Sequence, residues 1–179
     1  MATSINRKGF GQVEPNHLSA QTNGQVYAQL PASTAVGDIL ENGRFLKYNY
    51  AAGVCDCSTA ANSGEWMLVF NEVKLYDPRK QMYKDYAMKR EDFSDGEIVP
   101  RLLRTEIGDI FTTNTFSGAN TSDAATVSGP SLSVGDLVTP STNGYLVAGT
   151  TASEAPVFAV VKEYNLGDMQ PAVKLQRVK

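Results

Sequence analysis

One short pattern occurs three times in this chain and constrains its fold more than any other feature. Each copy consists of a branched apolar residue, a Gly-Asp pair and the start of another apolar run. The copies are Val36-Gly37-Asp38-Ile39-Leu40, Ile107-Gly108-Asp109-Ile110-Phe111 and Val134-Gly135-Asp136-Leu137-Val138. Glycine adopts positive φ without steric cost, and an aspartate side chain accepts hydrogen bonds from nearby backbone amides. The pattern therefore predicts three tight turns that lead into β-strands, with the aspartates as turn formers rather than catalytic acids.

Two hairpins are predicted in the C-terminal part of the chain. The apolar runs at 132–138 and 145–148 flank a polar loop that ends in Asn143-Gly144, the strongest short-range hairpin signal. The apolar runs at 156–162 and 172–178 flank a second turn and are expected to pair in the same way.

A further hairpin and a buried strand are predicted nearer the N-terminus. Residues 39–40 and 44–50 lie on either side of Glu41-Asn42-Gly43, which has the composition of a hairpin turn. Residues 66–76 form an apolar run whose first positions are apolar on both faces, so the start of this strand is expected to be buried on both sides.

The first 34 residues are polar, with scattered glycine and proline, and residues 25–30 alternate like a strand. This composition predicts an extended N-terminal arm, 1–34, with one strand near its end. Fraying is the usual fate of such a terminus, whereas an ordered arm is typical of an assembly. The remainder, 35–179, is interpreted as a single β domain.

Residues 77–104 carry seven basic and six acidic side chains and form an excursion from this β domain. Asp77-Pro78 is a typical helix start, and apolar residues then share one helical face, so a short helix is predicted at about 78–90. A structured excursion between strands is the alternative. Residues 112–133, rich in Thr, Ser, Asn, Ala and Gly, are expected to form either a long surface loop or weak edge strands.

Short strands, Gly/Pro turns and scarce helix together predict a mainly β fold, a β-barrel or sandwich with an extended N-terminal arm and one short helix or structured excursion. The order of turn, hairpin, loop and buried strand near 35–75 recurs near 134–178. We interpret this recurrence either as a faint duplication or as two halves of one barrel.

Composition excludes several functional classes. The chain has 16 basic and 19 acidic residues and a pI of about 5.2, which argues against a phosphate-binding surface for nucleic acid. The longest apolar run is far shorter than the ~20 residues that span a bilayer, and no secretory signal is recognisable. Two cysteines do not form a disulfide framework, so a reducing compartment is expected.

No catalytic motif, cofactor-binding motif or metal-ligand set is recognisable, and we expect a protein that is not an enzyme. Cys55-Asp56-Cys57 is the most metal-like sequence, but a structural zinc site needs four ligands and the chain has a single histidine, His17, in the arm. The cysteine pair is therefore interpreted as structural. His17 lacks the setting of a catalytic base, although a carboxylate pair could lie unrecognised among the acids.

The C-terminal portion resembles the small β-barrel decoration proteins of tailed-bacteriophage heads, which are also called cement or capsid-stabilising proteins. The resemblance covers about 45 residues: Ser133 to Val138, Gly144 to Val147, Phe158 to Val161 and Val173 to Leu175. The arm and the charged excursion depart from the minimal decoration fold. In the excursion, Tyr76, Tyr83 and Tyr86 beside Arg79 and Arg90 suit a polar protein–protein contact.

The resemblance implies a structural virion protein that binds the major capsid protein on the capsid surface and stabilises the head. It further implies a homo-oligomer, trimer or dimer, that is made in the host cytoplasm and has no direct contact with nucleic acid or membrane. The alternative is a receptor- or carbohydrate-binding module of a phage tail or fibre, in which exposed aromatic residues such as Trp66 or Tyr145 would form the binding platform.

Overall fold

A computed structural model describes residues 2–57, 64–71, 87–117, 126–149 and 155–179. These residues form fifteen β-strands, one short α-helix and two 3-10 turns, at Thr34–Val36 and Arg90–Asp92. The elements are β1 (Thr3–Lys8), β2 (Val13–His17), α1 (Ser19–Asn23), β3 (Val26–Tyr27), β4 (Ile39–Glu41), β5 (Phe45–Asn49), β6 (Val54–Asp56), β7 (Met67–Val69), β8 (Ala87–Lys89), β9 (Leu102–Arg104), β10 (Ile110–Thr113), β11 (Thr126–Leu132), β12 (Leu137–Pro140), β13 (Leu146–Ala148), β14 (Phe158–Asn165) and β15 (Pro171–Arg177).

The described strands form two large sheets and two ribbons. The six-stranded sheet has the order β13-β12-β14-β15-β10-β2, and the five-stranded sheet has the order β3-β9-β7-β5-β6. β1 pairs with β11 and β4 pairs with β8 as two-stranded ribbons. Strand neighbours in these sheets and ribbons are antiparallel. The prediction of a mainly β fold is confirmed.

The five-stranded sheet is the middle layer of the molecule, because both of its faces are buried. Phe45 and Leu68 face a core shared with the six-stranded sheet, where Phe45, Phe111 and Phe158 stack with ring centroids 5.3–6.3 Å apart. Leu46 and the other alternate residues face a second core, built with the segment before β4. The predicted burial of the start of 66–76 on both faces is confirmed for Trp66 to Val69.

Both C-terminal hairpins are confirmed. β12 and β13 pair through Val138 with Ala148 and Thr139 with Val147, and the turn closes where the Gly144 amide donates to the Ser141 carbonyl at 2.9 Å. β14 and β15 pair along their whole length, with an irregularity between Val160 and Lys162.

The hairpin predicted across Glu41-Asn42-Gly43 is wrong. β4 pairs with β8, and β5 pairs with β6 and β7. The segment between β4 and β5 is held by hydrogen bonds to the end of β7 and the residues after it. The Gly43 amide donates to Val69, and the Asn42 amide group exchanges two hydrogen bonds with the backbone of Asn71.

The predicted arm contains more regular structure than its composition indicated. Besides β3, it contains β1, β2 and α1, and β1 and β2 pair with β11 and β10 of the remaining chain. Ile5 and Phe10 are fully buried. Residues 2–34 therefore belong to the same sheets and cores as the rest of the described chain.

The helix predicted at 78–90 is wrong where the structure describes it, because Ala87–Lys89 is strand β8 and Arg90 begins a 3-10 turn. Residues 78–86 lie outside the described residues, as do 72–76 of the predicted buried strand. Of the two alternatives for 112–133, the described ends are strands: β10 extends to Thr113, and β11 pairs with β1.

All three Gly-Asp turns are present, with φ of 103° at Gly37, 98° at Gly108 and 96° at Gly135. Two of them hold a strand by the same pair of backbone hydrogen bonds. The Gly108 amide donates to the Arg177 carbonyl at 2.8 Å, and the Arg177 amide donates to the Asp109 carbonyl at 2.9 Å. The Gly135-Asp136 turn holds Val160 in the same way, with both distances 2.8 Å. In the first copy, the Asp38 carbonyl accepts from the Arg90 amide.

Candidate functional site

A buried group of charged and polar side chains lies where β1, β4 and the β12–β13 hairpin meet. At its centre, Arg7 Nη2 lies 2.7 Å from Glu41 Oε2, and each side chain is 1% exposed. Glu41 also accepts a hydrogen bond from the Gly11 amide at 2.8 Å, and Arg7 Nη1 donates to the Gly9 carbonyl at 2.6 Å. Since Arg7 is on β1 and Glu41 is on β4, the ion pair joins two ribbons that share no strand.

Two further side chains complete this group. Tyr145 Oη donates to Glu41 Oε1 at 3.3 Å, and the Arg44 guanidinium lies 4.7 Å above the centre of the Tyr145 ring. Arg44 Nη1 and Nη2 donate to the carbonyls of Val36 and Asn143, at 3.0 and 2.9 Å. We call Arg7, Glu41, Arg44 and Tyr145 the buried charged cluster.

The electrostatics of the buried charged cluster favour a structural role. Burial raises the pKa of the Glu41 carboxyl above its ordinary value of 4.5, while the Arg7 guanidinium opposes that shift. Burial and the nearby Glu41 also raise the pKa of the Tyr145 phenol, so this hydroxyl keeps its proton and donates. All four side chains are enclosed, and their bonds join separate chain segments.

The two cysteines lie near β6 without forming a disulfide. Cys55 Sγ points at the carbonyls of Leu30 and Pro31, at 3.1 and 3.3 Å, and Cys57 Sγ lies 3.8 Å from Arg44 Nη2. Burial raises the pKa of Cys55 to about 12 and also raises that of Cys57. Among the described residues there is no group of three or more metal-ligating side chains around them.

His17 is exposed at the end of β2, where it pairs with Ile110. Ser19 and Asp109 lie close by, but Ser19 Oγ donates directly to Asp109 Oδ1 at 2.6 Å, and so does the Ser19 amide at 2.9 Å. In a catalytic triad the histidine stands between the serine and the acid. Here the Asp109 carboxylate instead binds the first amide of α1 and thereby fixes the start of that helix.

The expectation that Trp66 and Tyr145 form an exposed platform is wrong, since they are 9% and 8% exposed. Lys47 covers the Trp66 ring at 4.8 Å, and Tyr145 belongs to the buried charged cluster. A different aromatic group reaches the surface. Tyr27 and Tyr50 stack edge-on against Tyr48, with ring centroids 6.0 and 5.9 Å away, and Tyr50 is 71% exposed.

The charged excursion was expected to supply a protein–protein contact surface. Of the five residues named for that surface, the structure describes Arg90, whereas Tyr76, Arg79, Tyr83 and Tyr86 lie outside the described residues. All three nitrogens of the Arg90 guanidinium donate to backbone carbonyls, so this side chain is engaged in holding loops together. Its acceptors are the carbonyls of Ala32, Ser33, Gly37 and Gly96.

Among the described residues, the outer face of the six-stranded sheet exposes several apolar side chains to a partner. Five apolar side chains there are between 38% and 73% exposed. We call them the apolar strip: Ile107, Val134, Leu137, Val161 and Val178. Among the described residues, no helix has the length and apolar character needed to span a membrane.

No protein-family model matches this chain, and neither a curated protein nor a solved structure is significantly similar to it. The resemblance to decoration proteins thus depends on the sequence patterns between Ser133 and Leu175.

Sequence reasoning missed both the buried charged cluster and the apolar strip. A signal for the first lies in Ile5 and Arg7, which alternate with exposed residues and so share the inward face of β1. For the strip, the signal is the branched residue before two of the Gly-Asp turns, Ile107 and Val134, which a turn alone does not require.

Proposed function

We propose that this chain is a structural, non-enzymatic virion protein that binds the capsid lattice of a tailed phage and stabilises the head. Its partner is the major capsid protein, its place is the capsid surface, and it acts as a trimer or dimer. The observation that carries the proposal is the open outer face of the six-stranded sheet, which exposes apolar side chains while the opposite face packs in the core. Exposed apolar patches mark interaction sites.

The polar side chains of the interior support a mechanical role. The buried charged cluster, Asp109 and Arg90 each join segments that are distant in sequence. A protein built in this way presents a fixed surface to its partner. A ligand that binds only the assembled lattice stabilises the lattice by mass action, so rigid binding across subunits would strengthen a head under internal pressure.

The test uses the full chain and expanded capsids assembled from the major capsid protein encoded with it. We expect saturable co-sedimentation at a fixed number of copies per capsid, and greater resistance of the loaded capsid to heat or chelation. The absence of saturable binding would contradict the proposal, as would binding that leaves capsid stability unchanged.

A carbohydrate-binding module of a tail or fibre is the second candidate, and the Tyr27–Tyr48–Tyr50 group favours it. Aromatic rings that reach the surface supply a large apolar face with a polar tip. If this candidate is right, a glycan array will give a signal that Tyr50→Ala abolishes. Tyr164→Ala, a half-buried tyrosine on β14, is the matched control and should retain the signal.

A further inference from the structure

We propose that the apolar strip and an adjacent pair of lysines form one docking face, and that its partner is a protein surface with an apolar ridge flanked by carboxylates. This inference rests on the proposed function, and it identifies the chemistry of the capsid surface that is contacted.

Strand register places the strip on one face. Leu137 pairs with Ala159, Ala159 with Gln176, and Gln176 with Ile110. Directly paired residues in antiparallel strands point to the same side, and successive residues alternate between sides. The next residues along these strands face the core and are at most 1% exposed: Val138, Phe158, Leu175 and Phe111.

The Gly-Asp turns add the two most exposed members of the strip. The bond from the Gly108 amide to Arg177 sets Ile107 beside Val178 along the backbone, and the bond from the Gly135 amide to Val160 sets Val134 beside Val161. Ile107 is 73% exposed and Val134 is 62% exposed, although a turn requires no apolar side chain at either position. The strip thus crosses the sheet from one Gly-Asp turn to the other.

The lysines determine which kind of partner fits. Lys162 directly follows Val161 and pairs in register with Lys174, so two positive charges face each other across β14 and β15. Lys174 Nζ lies 5.4 Å from the centre of the Tyr164 ring, and neither lysine has a carboxylate partner within the described part of the chain. Like charges in this position are destabilising in isolation.

A carboxylate from a partner would relieve that repulsion. The chain as a whole has a net charge of −3, so this lysine pair is a local basic spot on an acidic protein. Charge complementarity of this kind sets which partner binds and in which orientation, while the apolar side chains contribute the buried area. A partner surface with a central apolar ridge would cover the apolar strip, and carboxylates beside that ridge would pair with Lys162 and Lys174.

The experiment measures binding of full-length variants to the capsids described above. Ile107→Ser/Val134→Ser removes the most exposed apolar side chains, and Lys162→Glu/Lys174→Glu reverses the charge. We expect each double variant to bind about tenfold more weakly or worse, and the charge reversal also to remove the salt dependence of binding. Met169→Ser is the matched control, since Met169 is 75% exposed at the far tip of the β14–β15 hairpin, and it should bind within about twofold of the wild type.

Circular dichroism and thermal melts establish that each variant is folded. If both double variants bind capsids as tightly as the wild type does, the proposed docking face is wrong and the proposed function stands. Failure of the wild type to bind capsids overturns both. Sedimentation equilibrium tests whether a second copy of this chain occupies the docking face instead. If the wild type is an oligomer that Ile107→Ser/Val134→Ser dissociates while capsid binding is unchanged, the proposal of an acidic partner surface is wrong.

Discussion

At the scale of single residues, burial determines how much an ion pair contributes to the stability of the fold. Glu41 and Glu65 each contact arginine at short range, Glu41 through Arg7 at 2.7 Å and Glu65 through Arg104 at 2.8 Å. The Glu41 pair is 1% exposed on both sides, whereas Glu65 is 40% exposed. Removing one partner of a buried pair leaves an uncompensated charge in a low dielectric, while a surface pair is screened by water.

Glu41→Gln and Glu65→Gln test this difference with the same chemical change. Glu41→Gln should lower the free energy of unfolding by about 3–5 kcal/mol, because Arg7 and Arg44 stay buried without their carboxylate. Glu65→Gln should lower it by less than about 1 kcal/mol. Urea titrations measure both values, and equal losses would contradict the interpretation of Glu41 as the centre of the buried charged cluster.

Cys55 gives the stability a defined pH dependence. Its thiol is fully buried, and its folded-state pKa is raised from 9.0 to about 12. Above pH 9 the unfolded thiol therefore loses its proton while the folded thiol keeps it, so the folded state binds more protons and stability falls as pH rises. The stability difference between wild type and Cys55→Ser should shrink or reverse by up to about 1.4 kcal/mol per pH unit above pH 9. Urea unfolding at pH 8, 9 and 10 with reductant measures it, and a constant difference would contradict the prediction.

At the scale of elements, the Gly-Asp turns act as connectors between strands. Gly108-Asp109 holds Arg177 of β15, and Gly135-Asp136 holds Val160 of β14, each by one donated and one accepted backbone bond. The Asp136 carboxylate also accepts from the Ser133 amide at 2.8 Å, which stabilises the turn itself. The repeated sequence pattern therefore corresponds to a repeated strand contact at the second and third copies.

Gly135→Val should impair folding before it impairs capsid binding. Gly135 has φ of 96°, where a β-branched residue is strained, so a loss of about 1–3 kcal/mol in unfolding free energy is expected. Gly167→Val is the control, because Gly167 is an exposed turn glycine without positive φ and no atom lies near its added Cβ. Thermal melts and capsid co-sedimentation check both variants. Loss of capsid binding by a Gly135→Val protein that keeps wild-type stability would contradict the turn-forming role assigned to Gly135.

Local signals predicted the elements whose partners are close in sequence. The hairpin that closes at Asn143-Gly144 and the pairing of β14 with β15 both follow from apolar runs on either side of a short turn. The same reasoning failed at Glu41-Asn42-Gly43. There the turn-like composition serves a different purpose, since Glu41 is satisfied by Arg7, Gly11 and Tyr145, which come from two distant parts of the chain.

The N-terminal strands were missed for the same physical reason. β1 reads as polar because its inward residues are Ile5 and an arginine, and an arginine can be buried only when a partner such as Glu41 is supplied elsewhere. The apolar strip depends on register between four strands and two turns. A single sequence does not specify such long-range pairing, so the candidate docking face became visible only in the folded chain.

At the scale of the whole molecule, the layer order separates stability from binding. The five-stranded sheet has a core on each face, formed through residues such as Phe45 on one side and Leu46 on the other. The six-stranded sheet has one core and one open face. The described chain thus keeps its most protected sheet in the middle and exposes the face that we propose for the partner.

Hydrogen exchange should be slower in the five-stranded sheet than at the edges of the six-stranded sheet. The amides of Leu68 in β7 and Leu103 in β9 lie in the interior of the doubly buried sheet, so they should exchange only through global unfolding, with a protection free energy equal to that from urea titration. Amides of β13 and β2, the edges of the six-stranded sheet, should exchange through local opening at lower free energy. Mass spectrometry or NMR of the isolated protein measures both sets. Edge strands as protected as β7 would contradict the layered order, because an edge with one core should open before a central strand with two.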